Sequence, residues 1–138
     1  MTNSAAASAF WQWLQSISPK YQLDLTTVSR AGADAGFRSY HRIAAADGRS
    51  FIAMNAEGET PESFASFIKV DGLLRNEAGL NAPEIFEADT DHRFMLLSDL
   101  GRETYLDVLN EDNARELMDR ATTALVAWQK ISRPNVLP

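Results

Sequence analysis

The first stretch of the chain repeats its large apolar residues at helical spacing. The residues at positions i, i+3, i+4 and i+7 are Phe10, Trp13, Leu14 and Ile17. This spacing lines one face of an α-helix. We expect a helix from about Ser4 to Ser16, ended by Pro19. An aromatic stripe of this kind usually packs into a protein core, so we expect this face to be buried.

From Tyr21 the pattern changes to an alternation of apolar and polar residues, which is typical of strands. We expect strands over 21–28 and 37–43, joined as a β-hairpin by a tip of small residues over 31–36. Asp47-Gly48 is a tight-turn dipeptide, and the stretch Ser50 to Asn55 after it is the third expected strand. Three consecutive strands are therefore predicted to pair antiparallel.

Thr60, Pro61 and Glu62 carry the signals of a helix start. Threonine caps free amides, proline tolerates the first helical position, and glutamate favours the positive end of the helix dipole. We expect this helix to run to about Glu77. It should end at Gly79, which can adopt the left-handed backbone conformation.

The last part of the chain is predicted to contain one more hairpin and two helices. Strands over 83–87 and 93–98 are joined by a turn over 89–92, and strand character stops after Gly101. A short helix is expected over 103–109 and a longer one over 111–130, with Asn110 as its cap. The apolar stripe of the longer helix consists of Ala114, Leu117, Met118, Ala121, Leu125 and Trp128.

Composition and charge narrow the class of protein. With 138 residues, of which 45% are hydrophobic and 23% charged, the chain can bury the core of one domain. Its net charge of −6 disfavours nucleic acids and anionic membrane surfaces as partners. The absence of cysteine excludes disulfides and Cys-based metal sites and favours a reducing compartment, so we expect a cytoplasmic location. No apolar run reaches the roughly 20 residues that a membrane-spanning helix needs.

The order of helix, three strands, helix, two strands and further helices is that of the small lobe of the protein-kinase-like fold. In that order the chain resembles the aminoglycoside phosphotransferase family, and within it the bacterial anomeric kinases of N-acetylmuramate and N-acetylglucosamine in cell-wall recycling. The segments that carry the resemblance are Gly36–Arg42, Phe51–Asn55, Ala82–Ile85, Leu96–Gly101 and Thr104–Asp107. It implies an α+β fold in which 1–101 hold the N-terminal helix and the nucleotide-binding small lobe, and 102–138 begin a large lobe.

The resemblance also implies ATP as a cofactor, with adenine bound by the backbone after the fifth strand. On this chain the Ser98 carbonyl would accept from the adenine amino group and the Leu100 N–H would donate to the ring. Asp99 lies between them in sequence and Leu97 behind them. Any strand that leaves a sheet offers such backbone groups, so an ordinary loop is the alternative.

A second part of the implied nucleotide site is the hairpin tip over 32–39, which corresponds to the loop that covers the phosphates in kinase-like enzymes. The candidate contacts in it are Gly36, Phe37, Arg38 and Ser39. Arg42 is a further candidate because it shares a strand face with Arg38. The tip lacks the full G-x-G-x-x-G spacing, so a plain hairpin tip and a solvated Arg42 are the alternatives.

The chain departs from the family pattern at two points. The usual third-strand lysine corresponds to Ala53, so Arg38 or Arg42 would have to supply the positive charge. The catalytic H-x-D-x-x-x-x-N motif does not occur, so we expect neither a catalytic residue nor a metal site in this chain. Mg²⁺ is then implied only for the full-length enzyme. Asp89-Thr-Asp91 lies in a predicted turn, and we interpret it as turn chemistry.

We therefore expect the N-terminal ATP-binding portion of a small-molecule kinase whose acceptor is the anomeric hydroxyl of an amino sugar. The alternative is a noncatalytic binding or scaffold protein that retains only the small lobe. The apolar stripe of the 111–130 helix needs cover in either case. We expect two chains to pair through it as a homodimer.

Overall fold

The computed structural model describes residues 8–33, 36–131 and 134. The strands are β1 Ser29–Ala33, β2 Ser39–Ala44, β3 Ser50–Asn55, β4 Ile85–Asp89 and β5 Phe94–Ser98. The α-helices are α1 Ala9–Tyr21, α2 Pro61–Gly72, α3 Tyr105–Val108 and α4 Ala114–Gln129, with a 3₁₀ helix at Leu25–Thr27 and a π-helix at Leu73–Glu77. All strands pair antiparallel in the order β1-β2-β3-β5-β4. The α+β small-lobe fold is therefore confirmed.

The chain divides into two compact units. The first comprises the chain up to Ala65 together with Glu84–Asp99, and it contains the whole sheet and α1. The second comprises Ser66–Pro83 together with the chain from Leu100 onward. The stretch that leaves β5 thus crosses from one unit to the next between Asp99 and Leu100.

The first helix runs further than its sequence predicts. It begins at Ala9, where the Ser8 hydroxyl accepts from the N–H of Trp11 at 3.2 Å, and it passes through Pro19 to Tyr21. Ending the helix at Pro19 was therefore wrong. Proline lies in the last turn, where it removes one hydrogen bond without breaking a long helix, and the end is set by Gln22 at φ 57°. The predicted residues 4–7 lie outside the described part of the chain.

The first strand also lies elsewhere than predicted. The stretch 21–28 contains the helix end and the 3₁₀ helix, where the Asp24 carboxylate accepts from the N–H and the hydroxyl of Thr26 at 3.0 and 2.6 Å. Such local side-chain bonds compete with strand pairing. The strand is instead β1, whose last three residues we assigned to the hairpin tip, with a bulge between Arg30 and Gly32.

Several other elements agree with the sequence. The third strand has its predicted bounds, and α2 begins at Pro61 with the Thr60 hydroxyl accepting from the N–H of Ser63 at 3.1 Å. Gly79 has the expected left-handed backbone, at φ 66°. The fourth strand begins two residues later than predicted, at Ile85.

One face of the sheet is covered by α1. Leu14 is completely buried, and the ring of Phe10 meets Phe94 edge to face with centroids 5.1 Å apart. The predicted burial of the aromatic helix face is thus confirmed. The buried cluster consists of Phe10, Leu14, Tyr21, Leu23, Ile43, Ala45, Phe51, Ala53, Phe94 and Leu96.

The two helices of the second unit begin differently from each other. Thr104 and Asp107 form a reciprocal capping box at the start of α3. Helix α4 begins at Ala114, three residues later than predicted, and Asn113, which precedes it, makes no side-chain capping bond. The Asn110 side chain instead accepts from the N–H groups of Asp112 and Asn113, closing the turn that precedes the helix.

Candidate functional site

A largely buried ion pair and a hydroxyl group link β2, β3 and the residue that follows β5. The Arg42 guanidinium donates from Nε and Nη2 to the Asp99 carboxylate at 2.6 and 3.0 Å, and the Ser50 hydroxyl donates to the same carboxylate at 2.7 Å. The Arg42 and Asp99 side chains are only 13% and 9% exposed. The hydrogen bonds to Asp99 raise the pKa of Arg42. Sequence order separates these residues widely, but the sheet brings them together.

Strand pairing fixes which residues share a face with Arg42. Arg42 pairs with Ile52, and Ile52 pairs with Leu97. Directly paired residues of antiparallel strands lie on the same face. We call this side of the sheet the Arg42 face; its residues on β2, β3 and β5 are Tyr40, Arg42, Ala44, Ser50, Ile52, Met54, Met95 and Leu97.

The end of β5 is anchored by its own backbone and side chain. The Ser98 N–H donates to the Glu84 carbonyl at 2.9 Å, and the Ser98 hydroxyl accepts from the Glu84 N–H at 2.8 Å. Leu97 is almost completely buried, whereas Leu100 is half exposed. The stretch from Ser98 to Leu100 therefore leaves a hydrogen-bonded strand end and becomes exposed at Leu100.

At the other end of β2, Arg38 is held by an acid that sequence reasoning missed. Its Nη2 donates to the Glu59 carboxylate at 2.9 Å, and the Ser63 hydroxyl donates to the same carboxylate at 2.6 Å. Burial alone would raise the pKa of Glu59, but these hydrogen bonds and the charge of Arg38 outweigh it and lower the pKa. Glu59 is thus a carboxylate that orients a guanidinium. Only its place just before a helix start singles it out in the sequence.

The described part of the hairpin tip lies close to Gly58 in the loop before α2. Phe37 is 78% exposed, and a Cβ added to Gly58 would come within 2.9 Å of the Phe37 Cβ. Glycine at 58 is therefore what lets the tip lie this close to the loop before α2. Asp34 and Ala35, also within the predicted tip, lie outside the described residues.

The predicted site residues do not all come together. Ser39 lies on the opposite sheet face, where its hydroxyl is 3.2 Å from His41 Nε2, and the His41 ring packs 5.3 Å from that of Phe10. The Ser39 side chain is therefore directed away from Arg42. This agrees with the alternation expected along β2.

Ala53, which we matched to the family's third-strand lysine, does not lie on the Arg42 face. Ala53 is completely buried in the cluster covered by α1. On β3 the Arg42 face carries Ile52 and Met54 instead. Neither is a cation, so the departure from the kinase pattern stands at these positions.

The described residues do not provide a cluster of side-chain ligands for Mg²⁺. Within residues 8–33, 36–131 and 134, no group of three or more His, Asp or Glu side chains could hold a metal ion. The Asp89 carboxylate accepts from the N–H groups of Asp91 and His92 at 3.0 Å and lies 3.0 Å from the His92 ring. Asp89-Thr-Asp91 therefore acts as a turn, as interpreted from the sequence.

The second unit has an open groove on its surface. An open groove of about 720 Å³ runs along α4 beside Leu80, and it contains none of the predicted site residues. Its walls carry charges of both signs, including the exposed pair Glu116–Arg120. Among the described helices, none is long and apolar enough to cross a membrane.

Residues 27–138 match the sequence profile of the phosphotransferase enzyme family, APH. The chain belongs to this family. Helix α1 precedes the matched segment, so the cover on one sheet face is contributed by residues outside the family profile.

The chain is similar to three proteins named as kinases. It is 47% identical over 108 residues to the N-acetylmuramate/N-acetylglucosamine kinase of Pseudomonas aeruginosa, covering 78% of this chain and 31% of that protein. It is 38% identical over 130 residues to the kinase of the same name in Neisseria meningitidis, covering 91% and 37%. A Pseudomonas putida kinase of that name is 38% identical over 112 residues, covering 81% and 32%. The chain thus spans about one third of the length of these relatives.

Proposed function

We propose that the chain is the N-terminal ATP-binding portion of an amino-sugar kinase that phosphorylates the anomeric hydroxyl of N-acetylmuramate or N-acetylglucosamine. The observation that carries the proposal is the 47% identity over 108 residues to a kinase named for these two sugars. The geometry at both ends of β2 supports it. One end meets the segment that leaves β5, and the other end carries a cation beside the hairpin tip.

The adenine contacts are proposed at the end of β5. The Ser98 carbonyl accepts from the amino group, the Leu100 N–H donates to the ring, and Leu97 with Ile52 supplies an apolar surface behind them. Backbone recognition of this kind needs a fixed chain direction more than particular side chains. The double hydrogen bond between Ser98 and Glu84 supports such a fixed direction.

The phosphate contacts are proposed at the tip, with Arg38 in place of the family's lysine. A guanidinium has five N–H donors, and Glu59 orients that of Arg38 while 19% of the side chain stays exposed. Arg42 is the weaker candidate, because Nε and Nη2 already donate to Asp99. The exposed tip residues Gly36 and Phe37 are further proposed phosphate contacts, through their backbone.

Catalysis itself is proposed to need the rest of a longer protein. Phosphoryl transfer in this fold depends on an aspartate that positions the hydroxyl and on carboxylate and amide ligands for Mg²⁺. The alignments with two of the relatives cover only 31% and 37% of those proteins. We place these groups in the part of the longer protein that corresponds to their remaining two thirds, and ATP supplies the transferred phosphoryl group.

A chimera tests this function. The chain replaces the corresponding N-terminal part of the Pseudomonas aeruginosa kinase, and ADP release is followed with ATP and each of the two sugars. We expect turnover from the chimera and background from the chain alone. An Arg38→Ala chimera should turn over more slowly, and an Arg49→Ala chimera serves as its control, since Arg49 pairs with Asp47 in an exposed turn.

A folded chimera without turnover contradicts the proposal. If the chain then still binds ATP, the noncatalytic alternative gains support. If it binds none, neither function stands. The cytoplasmic location expected from the sequence stays a prediction.

Pairing of two chains also stays a proposal. Met118, Leu125 and Val126 of α4 are exposed, whereas Leu117 and Trp128 are half-buried. We expect a homodimer through the exposed residues, which Leu125→Glu should weaken. Sedimentation gives the oligomeric state of the chain and of this variant. If the unaltered chain is a monomer, the proposed homodimer is contradicted.

A further inference from the structure

Asp99 occupies a particular place in the proposed adenine site. The Ser98 carbonyl belongs to the peptide group before Asp99, and the Leu100 N–H belongs to the peptide group after it. Because each peptide group is planar, only the two backbone dihedrals of Asp99 set the angle between these two groups. Whatever fixes Asp99 therefore fixes both backbone contacts at once.

The Asp99 side chain is fixed from two strands. Arg42 on β2 donates two hydrogen bonds to its carboxylate, and Ser50 on β3 donates a third. Paired arginine–carboxylate bonds are short and directional. The carboxylate is nearly buried, so water competes little for these bonds.

We propose that Asp99, Arg42 and Ser50 are positioning residues for adenine: the buried ion pair holds the peptide groups on both sides of Asp99 in the orientation that binds the base. This inference rests on the proposed function. It assigns Arg42 to the adenine end of the site rather than to the phosphates. It also predicts that the three side chains affect base binding without contacting the nucleotide.

The chain offers a matched control pair. Like Asp99, Asp47 forms an ion pair with an arginine: Arg49 lies 2.8 Å from its carboxylate. The Asp47 carboxylate accepts a further hydrogen bond from the backbone N–H of Arg49. This pair is more exposed, and although the β2–β3 turn lies at the same edge of the sheet as the end of β5, the Asp47 carboxylate bonds within the turn, to Arg49. Asp47→Asn therefore removes a comparable charge and hydrogen bond without touching the proposed adenine contacts.

Two probes separate base binding from phosphate binding. Adenosine and inorganic tripolyphosphate are titrated separately into the ¹⁵N-labelled chain, and amide shifts give each affinity. We expect Asp99→Asn to weaken adenosine binding about tenfold, because a charge-assisted hydrogen bond is lost. We expect Ser50→Ala to weaken it about threefold, because one hydroxyl hydrogen bond is lost. Tripolyphosphate affinity should stay within about twofold in both. Asp47→Asn should change neither affinity.

The outcomes distinguish this inference from the function on which it rests. If the unaltered chain binds no adenosine, the proposed adenine site fails and the positioning role with it. If the chain binds adenosine and the Asp99→Asn and Ser50→Ala variants bind it equally well, only the positioning role is overturned. An equal loss of adenosine and tripolyphosphate affinity also overturns it, because general loosening of the fold then explains the result. Should Asp99→Asn fail to fold, Ser50→Ala keeps the ion pair and carries the test.

Discussion

Truncation of Leu14 should show that α1 is an integral part of the core that covers one face of the sheet. Leu14 is completely buried in the cluster that contains Ile43, Phe51 and Phe94. Helix α1 lies before the segment that matches the family profile. Its contribution to stability is therefore a property of this chain that the family match does not imply.

The expected cost follows from the atoms removed. Leu14→Ala deletes three carbon atoms, and burial of each is worth about 0.8 kcal/mol, or about 2.4 kcal/mol together. A cavity left in a packed core adds to this, so we expect a loss of about 3 kcal/mol in the free energy of unfolding. Domains are typically stable by about 5–15 kcal/mol. The variant should therefore still fold at room temperature.

Urea unfolding followed by tryptophan fluorescence measures this loss. Gln15→Ala is the matched control, since Gln15 is the exposed neighbour on the same helix, and it should change the free energy by less than about 0.5 kcal/mol. Adenosine affinity should be unchanged in folded Leu14→Ala, because Leu14 packs against the face opposite Arg42. A loss below about 1 kcal/mol for Leu14→Ala would refute the packing of α1 on the sheet.

Three further results are expected. Hydrogen bonding, above all from Lys20, lowers the pKa of Glu87. The stability that this adds is present above the unfolded-state pKa and is lost as pH falls through the folded pKa. In Glu87→Gln, the free energy of unfolding measured in urea should therefore fall less as the pH is lowered. Gly58→Ala should displace Phe37 and weaken tripolyphosphate binding several-fold at unchanged adenosine affinity, and equal loss of both contradicts this. Burial raises the pKa of Asp71, so Asp71→Asn should stabilise the chain at pH 7 by about 1 kcal/mol; the gain should shrink as pH falls and the native carboxyl takes up its proton.

Local signals in the sequence predicted some elements well. The turn at Asp47-Gly48 and the cap at Thr60 each fix an element boundary through bonds within a few residues, so β3 and the start of α2 were predicted correctly. The first strand was misplaced because alternation over 21–28 looks the same whether the residues pair in a sheet or fill a helix end and a 3₁₀ turn. The Asp24 cap decides between them.

The candidate site was only partly accessible from the sequence. The resemblance indicated Ser98, Leu100 and Arg38, but the partner of Arg42 lies 57 positions away and that of Arg38 lies 21 positions away. Such partners are set by sheet order and register, which the pattern of single strands does not contain. Register likewise decides that Ala53 points into the core while Ile52 shares the face of Arg42.

One titration tests most directly whether this lobe binds a nucleotide at the end of β5 and at the hairpin tip. ATP is added to the ¹⁵N-labelled chain, and backbone amide shifts are followed to saturation. We expect shifts at Ser98–Leu100 and at the described tip residues Gly36–Arg38, with an affinity nearer millimolar than micromolar, about −4 kcal/mol. Shifts confined to the α4 groove lined by Arg115 and Arg120, or none at either proposed site, would contradict the account.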